Sequence, residues 1–155
     1  MKIEEKLPEN IDRIEIYYNC KLKPSERQKI TNSKDCANLF FSIFDINKIE
    51  HKEMFYCMYL NRANKVLGVL MISEGGTSQS TCDPKNVFQG ALLLNASALV
   101  LSHNHPSGNT QPSAEDCKLT KKIKEGATLL DMFLLDHIII NSEREFYSFS
   151  DKNSL

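Results

Sequence analysis

The junction between a short apolar run and the polar residues that follow it most strongly constrains the fold that this chain can adopt. Residues 97–102, SALVLS, are too few for a helix and suit a buried central strand. They lead directly into HNHPSG, where Pro106 and Gly108 predict that the strand ends and a loop follows. Ser113 is predicted to begin a helix, because apolar residues recur at helical spacing as far as Leu130. This part of the chain therefore predicts a strand, a loop and a helix in succession.

The other strongly patterned segments predict that this unit belongs to a mixed α/β fold. Two apolar runs at 54–60 and 66–73 are separated by a polar loop, which is the pattern of a β-hairpin. Asp83 followed by Pro84 predicts the start of a helix. The remaining predictions are a short strand at 14–20, an amphipathic helix within 32–45 and a buried strand at 133–140. We therefore predict a central sheet that is covered by helices.

Length and composition indicate one domain of ordinary type. A chain of 155 residues can bury a core without disulfides, and a net charge of −1 gives no strong field to attract nucleic acid. The five cysteines are odd in number, widely spaced and without a CxxC motif, which predicts reduced thiols in a cytoplasmic protein. No signal-peptide pattern opens the sequence, and nowhere do about eighteen apolar residues follow one another, so we expect no membrane span.

Three side chains around the junction could bind one metal ion. His103 and His105 lie two apart on an extended segment, so both rings can point the same way while Asn104 points away. Asp116 would lie in the first turn of the next helix, where the helix dipole favours an ionised carboxylate. Two imidazoles and a carboxylate are the ligand set of a catalytic zinc site whose fourth position takes water. Ser113 is close enough in sequence to donate a hydrogen bond to a substrate oxyanion.

Each part of this pattern also has a purely structural explanation. Ser113 and Asp116 have the spacing of an imperfect capping box, and a pair of histidines alone could be solvated polar residues. His137, inside the last apolar run, is predicted to be a hydrogen-bonded structural histidine, with support of a metal ligand as the alternative. The joint pattern is much rarer than its parts, so it favours a metal site.

The sequence HNHPSGNTQPSAED resembles the JAMM motif of the MPN/JAB metallopeptidases, and residues 94–140 look like the RadC branch of that superfamily. The similarity extends back to the hairpin and forward to FYSFSD. It implies a cytidine-deaminase-like fold, in which a mixed sheet is sandwiched by helices. On this basis we divide the chain into an N-terminal extension at 1–34 that carries the short strand, a RadC-like JAB/MPN domain at 35–150 and a tail at 151–155.

The resemblance also implies roles for individual residues. It implies that the zinc ligands are His103, His105 and Asp116. It also implies that Ser113 supplies a hydroxyl on the oxyanion side or one that orients water. The family's general base is a glutamate on an early strand, and Glu53 at the start of EMFYCMYLN matches it, although Glu50 and Glu74 compete for the role. The apolar residues after Glu53 favour it, because a carboxylate at the edge of a core is held rigidly and partly dehydrated.

We therefore predict a zinc-dependent hydrolase of the metallopeptidase type that cleaves an amide or isopeptide bond in a peptide or protein substrate. The alternative is a non-catalytic or accessory metal-binding module in DNA repair or mobile-element maintenance, an association that comes with the RadC name. DNA binding has weaker support, because the helix-hairpin-helix-like region of longer family members does not fit into the first thirty residues and the net charge is near zero. Exposed sheet edges would also allow a homodimer.

Overall fold

The hairpin predicted at 54–73 forms two neighbouring strands of a mixed sheet. The computed structural model describes residues 8–12, 14–17, 19–75 and 82–155. Within them the elements in chain order are a 3-10 turn at Pro24–Glu26, α1 at Ser33–Ile43, β1 at Met54–Leu60, β2 at Val66–Glu74, α2 at Pro84–Leu93, β3 at Ala98–Asn104, α3 at Ala114–Leu129, β4 at Phe133–Ile140 and β5 at Phe146–Ser148.

The sheet explains why the predicted strands are such continuous apolar runs. Its strand order in the described chain is β2-β1-β3-β4-β5, with β3 and β4 parallel and the other neighbours antiparallel. Strands β1 and β3 are central, and every residue of both is buried. A strand covered on both faces favours apolar side chains at successive positions, not only at alternate ones, and the last three residues of β3 are buried polar exceptions. The predicted α/β fold, with a sheet sandwiched by helices, is confirmed.

Helices cover both faces of this sheet, and the alternation of side chains along β3 decides what each face receives. On one face, α1 packs with Ala37 and Phe40 against a cluster that includes Val100. On the other face, α2 and α3 pack against a cluster that includes Leu99 and Leu101. Along β3, alternate residues therefore face α1 or the α2 and α3 pair. Among the described residues, none of the helices is both long and apolar enough to cross a membrane.

Two short segments differ from their predictions. The strand predicted at 14–20 is wrong: the described residues there form no strand, and Ile14 and Ile16 are 86% and 71% exposed. Local β propensity is not enough without a neighbouring strand to pair with, and residues 28–30 hydrogen-bond beside the start of β2 instead. Conversely, Phe146–Ser148 forms β5, a strand that was not predicted from the sequence.

Asp136 of β4 joins β5 and the following turn to the sheet. It is 4% exposed. Its Oδ1 accepts hydrogen bonds from the backbone N–H groups of His137 and Ser150, at 2.7 and 3.0 Å, and its Oδ2 accepts one from the Ser148 hydroxyl at 2.6 Å. Burial raises the pKa of Asp136 above its usual value, although these three hydrogen bonds lower it in part.

We expect the Asp136→Asn protein to have a higher free energy of unfolding than the wild-type protein at neutral pH. Because the folded-state pKa is raised, the contribution of Asp136 to stability is present below pH 3.8 and is lost as pH rises through the raised pKa. Asparagine can accept both N–H bonds and donate to Ser148 without burying a charge.

Urea unfolding from about pH 4 to about pH 7 should show that the difference in free energy of unfolding between the variant and the wild type grows with pH. The exposed Asp12→Asn controls for net charge. A difference that is constant or shrinks with pH would contradict this assignment.

Candidate metal centre

The end of β3 and the start of α3 bring three possible metal ligands together. His103 is fully buried within β3, His105 follows the end of the strand, and Asp116 lies in the first turn of α3. The Nε2 atoms of His103 and His105 are 2.9 Å apart, and they lie 3.2 and 3.3 Å from the two carboxylate oxygens of Asp116. This arrangement follows from the predicted strand, loop and helix.

Asp116 belongs to this cluster and to the helix cap at the same time. Its Oδ2 accepts a hydrogen bond from the backbone N–H of Ser113 at 2.7 Å, while the Ser113 hydroxyl oxygen accepts one from the backbone N–H of Asp116 at 3.1 Å. The capping box that we weighed as an alternative to a metal site is therefore present. It does not compete with the cluster, because the cap holds the Asp116 carboxylate toward the histidines.

The electrostatics of the three groups keep the carboxylate ionised. Burial raises the pKa of Asp116, but hydrogen bonds from His103 and His105 outweigh burial and hold that pKa below its usual value. The hydrogen bond to Asp116 raises the pKa of His105. In the absence of another cation, protons on the imidazoles would be the partners of the carboxylate. A divalent cation would replace them, so protons and metal compete for the same positions.

The donor set fits a tetrahedral metal ion. The nitrogen and oxygen donors of the cluster all lie within 4.8 Å of one another. Ligands at the usual zinc distances of about 2.0–2.2 Å would lie roughly 3.3 Å apart around a tetrahedral ion. The two imidazole nitrogens are 2.9 Å apart, and each lies 3.2 or 3.3 Å from a different oxygen of the Asp116 carboxylate, which is close to that value. His103, His105 and Asp116 could therefore hold a metal ion.

The outer nitrogens of the two histidines are hydrogen-bonded. The Nδ1 of His105 donates to the backbone carbonyl of Asn109 at 2.6 Å. The Nδ1 of His103 lies 2.8 Å from the Nε2 of His137, and the Nδ1 of His137 lies 2.6 Å from the Thr120 hydroxyl. His137 is fully buried, and burial lowers its pKa well below the usual value. It is hydrogen-bonded, as predicted for a structural histidine, and its partner His103 is a candidate ligand, as the alternative of a supporting role would require.

Asn104, between the two histidines, fixes the segment that precedes β1. It faces the opposite side of the sheet and is fully buried. Its amide nitrogen donates to the carbonyls of Ile49 and Lys52 at 2.7 and 2.9 Å, and its oxygen accepts from the Met54 N–H at 2.8 Å. The backbone on both sides of Glu53 is therefore tied to the residue that separates the candidate ligands.

Glu53 lies on the same side of the sheet as the cluster. In the antiparallel pairing of β1 with β3, Phe55 is opposite His103, and their rings stack with centroids 5.5 Å apart. Glu53 comes two residues before Phe55 and His105 two residues after His103, so the same register, continued past the strand ends, would place Glu53 opposite His105. The charge of Glu53 contributes, as the smallest of several causes, to the raised pKa of His105.

The two competing glutamates occupy different surroundings. Glu50 is exposed. Glu74 ends β2, where its carboxylate pairs with Lys48 at 2.8 Å and lies 4.0 Å from Lys52. The hydrogen bond from Lys48 lowers the pKa of Glu74, which is the opposite of what a proton-accepting base near neutral pH requires.

Comparison with known proteins agrees with the geometry. A family model described as the RadC-like JAB domain matches residues 30–154. The chain belongs to this family. A UPF0758 protein of Flavobacterium johnsoniae is 42% identical over 125 residues, which are 81% of this chain and 53% of that protein. UPF0758 proteins of Salinibacter ruber and Methanosarcina mazei are 38% and 37% identical, over 74% and 76% of this chain and 48% and 50% of their own lengths. The chain spans about half the length of these relatives.

This RadC-like JAB domain also contains polar residues around the cluster that sequence reasoning missed. Asn104 was assigned no role, and Thr120 was not considered at all. A signal for Thr120 was available, because it lies four residues after Asp116 and therefore on the same side of α3. The role of Asn104 depends on contacts with residues about fifty positions away in sequence, which no local pattern reveals.

Proposed function

We propose that this RadC-like JAB domain is a zinc-dependent hydrolase of the metallopeptidase type, which cleaves an amide or isopeptide bond in a peptide or protein substrate. The observation that carries the proposal is the cluster of two imidazole nitrogens and one carboxylate with separations of 2.9 to 3.3 Å. Three protein ligands of this kind leave a fourth position for water or substrate. When bound, zinc would polarise the substrate carbonyl and lower the pKa of water to about 7.

In this proposal Glu53 is the general base. It is partly buried, lies on the side of the sheet that carries the histidines, and precedes a fully buried strand that holds its backbone. It would accept a proton from the attacking water and pass it to the leaving nitrogen. A positioned carboxylate in this role typically contributes about 10²–10⁴-fold to the rate.

Ser113 is proposed to stabilise the negative charge that develops on the substrate oxygen. Its hydroxyl oxygen accepts the cap hydrogen bond from Asp116 through one lone pair, so the hydroxyl hydrogen can still be donated. Ser113 is exposed and adjoins the cluster through that cap, which allows a substrate to reach it. The cap holds the serine in position before substrate arrives, as electrostatic stabilisation of a transition state requires.

We also propose that the protein works in the cytoplasm. All five cysteines have free thiols in the structure, including the exposed Cys20 and Cys117. Free exposed thiols persist where the surroundings are reducing.

The test of the proposal is metal content together with chelator-dependent hydrolysis. We expect about one zinc ion per chain by plasma mass spectrometry, as three converging protein ligands imply. Cleavage of fluorogenic peptide and isopeptide libraries should stop with ortho-phenanthroline and return when zinc is added back. The non-chelating meta isomer is the matched control and should leave cleavage unchanged. Protein that binds no zinc when zinc is supplied, or cleavage that survives the chelator, would refute the proposal.

A further inference from the structure

A chain of buried hydrogen bonds connects two of the candidate metal ligands through residues that are not ligands themselves. It runs from His103 Nδ1 to His137 Nε2 at 2.8 Å, and from His137 Nδ1 to the Thr120 hydroxyl at 2.6 Å. Thr120 then donates to the backbone carbonyl of Asp116 at 2.6 Å. His103, His137 and Thr120 are at most 2% exposed. The chain therefore begins at one candidate ligand and ends on the backbone of another.

Only one placement of hydrogens satisfies every link of this chain. A carbonyl can only accept, so the single hydroxyl hydrogen of Thr120 goes to Asp116. The hydroxyl oxygen must then accept from His137, which places the hydrogen of the neutral His137 ring on Nδ1. His137 Nε2 is left as an acceptor, so His103 must donate from Nδ1. When the His103 ring is neutral, as a metal ligand must be, its Nε2 faces the cluster and carries the lone pair.

This placement matters because the two histidines of the cluster are fixed by different means. The Nδ1 of His105 donates to a backbone carbonyl. A carbonyl oxygen can only accept a hydrogen bond, so it keeps the hydrogen of His105 on Nδ1. The Nδ1 of His103 donates to another histidine, which could equally well present a hydrogen as a lone pair. With the opposite tautomer of His137, the neutral His103 ring would carry its hydrogen on Nε2 and could not bind a metal. The Thr120 hydroxyl favours one tautomer of His137 over the other, because it donates to Asp116 and so accepts a hydrogen from His137 Nδ1.

We propose that His137 and Thr120 are positioning residues that set the tautomer of His103 and thereby raise the affinity of the cluster for its metal. The inference rests on the proposed metal centre and adds a role for two residues that do not touch the ion. Hydrogen-bond partners of metal-binding histidines typically contribute about 10–100-fold to metal affinity.

The test compares Thr120→Val with Thr120→Ser. Valine has nearly the shape of threonine but neither accepts nor donates, whereas serine keeps the hydroxyl. We expect Thr120→Val to bind zinc about 10–100-fold more weakly than the wild-type protein in competition with a chelating dye. Thr120→Ser should remain within about threefold of the wild type, since it retains the hydrogen-bond partner of His137. Thermal unfolding of the two metal-free variants shows whether valine has changed the fold.

Nitrogen-15 NMR of the imidazole rings gives a second readout that does not depend on zinc or on either variant. In the metal-free wild-type protein, His137 should carry its hydrogen on Nδ1, and His103 should carry a hydrogen on Nδ1. A His137 ring with its hydrogen on Nε2 would overturn the inference, and so would a folded Thr120→Val protein that binds zinc with wild-type affinity. Failure of the wild-type protein to bind zinc would instead refute the metal centre, while the NMR result would still decide the hydrogen-bond chain.

Discussion

Replacing Asp116 by asparagine is expected to lower both the affinity for zinc and the rate of hydrolysis by roughly 10³-fold or more. Asp116 is the one anionic member of the described cluster, and the two imidazoles that remain would be neutral when they bind a metal. Asparagine has almost the same size, and its amide oxygen can still accept from the Ser113 N–H. The start of α3 should therefore survive, so that the loss reports on the metal centre.

Zinc retained after dialysis and competition with a chelating dye measure the effect on binding, and peptide cleavage measures the effect on turnover. Glu115→Gln is the matched control, since it removes the same charge one residue earlier on α3. Glu115 is exposed and pairs with Lys118 at 3.0 Å, outside the cluster. It should keep about one zinc per chain, because all three ligands remain. An Asp116→Asn protein with full zinc content and undiminished cleavage would show that the proposed ligand set is wrong.

Most of the fold could be predicted from sequence because its elements have strong local patterns. Strand β1 is a continuous apolar run, β4 is apolar apart from Asp136 and His137, and α2 begins with Asp83 and Pro84, which cap and start a helix by their own chemistry. The predictions failed where structure depends on a distant partner. Residues 14–20 have β propensity but form no strand among the described residues there, and the three residues of β5 are a strand only because they pair with β4.

The candidate site divides in the same way. Its three possible metal ligands lie within a span of fourteen residues, on a strand end and the first turn of the next helix. Their spacing in the sequence was therefore enough to predict that they lie close together. The contact between Thr120 and His137 depends on how α3 packs on β4. The position of Glu53 depends on the register between β1 and β3. Neither the packing nor the register can be inferred from the local sequence around these residues, so both required the three-dimensional structure.

We expect Glu53→Gln to lower the rate of hydrolysis by about 10²–10⁴-fold while zinc content stays unchanged. Glutamine has the size and polarity of glutamate but cannot accept a proton near neutral pH. Its backbone should remain in place, because Asn104 holds the neighbouring residues and the Glu53 carbonyl accepts from Gly75 N–H at 2.8 Å. Loss of kcat with retained zinc would distinguish Glu53 from the metal ligands, because substitution of a ligand removes both kcat and zinc.

Glu50→Gln and Glu74→Gln make the same chemical change at the two competing positions and serve as controls. Glu50 is exposed, so its substitution should leave kcat within about threefold of the wild type, as surface substitutions away from a site usually do. Glu74→Gln would weaken a solvent-exposed ion pair with Lys48, which contributes little to stability, and should also spare kcat. If Glu53→Gln kept its activity and one of these two lost it, the base would be that residue. The proton would then have to reach the cluster from the end of β2 or from the turn before β1, not from the face that carries the histidines.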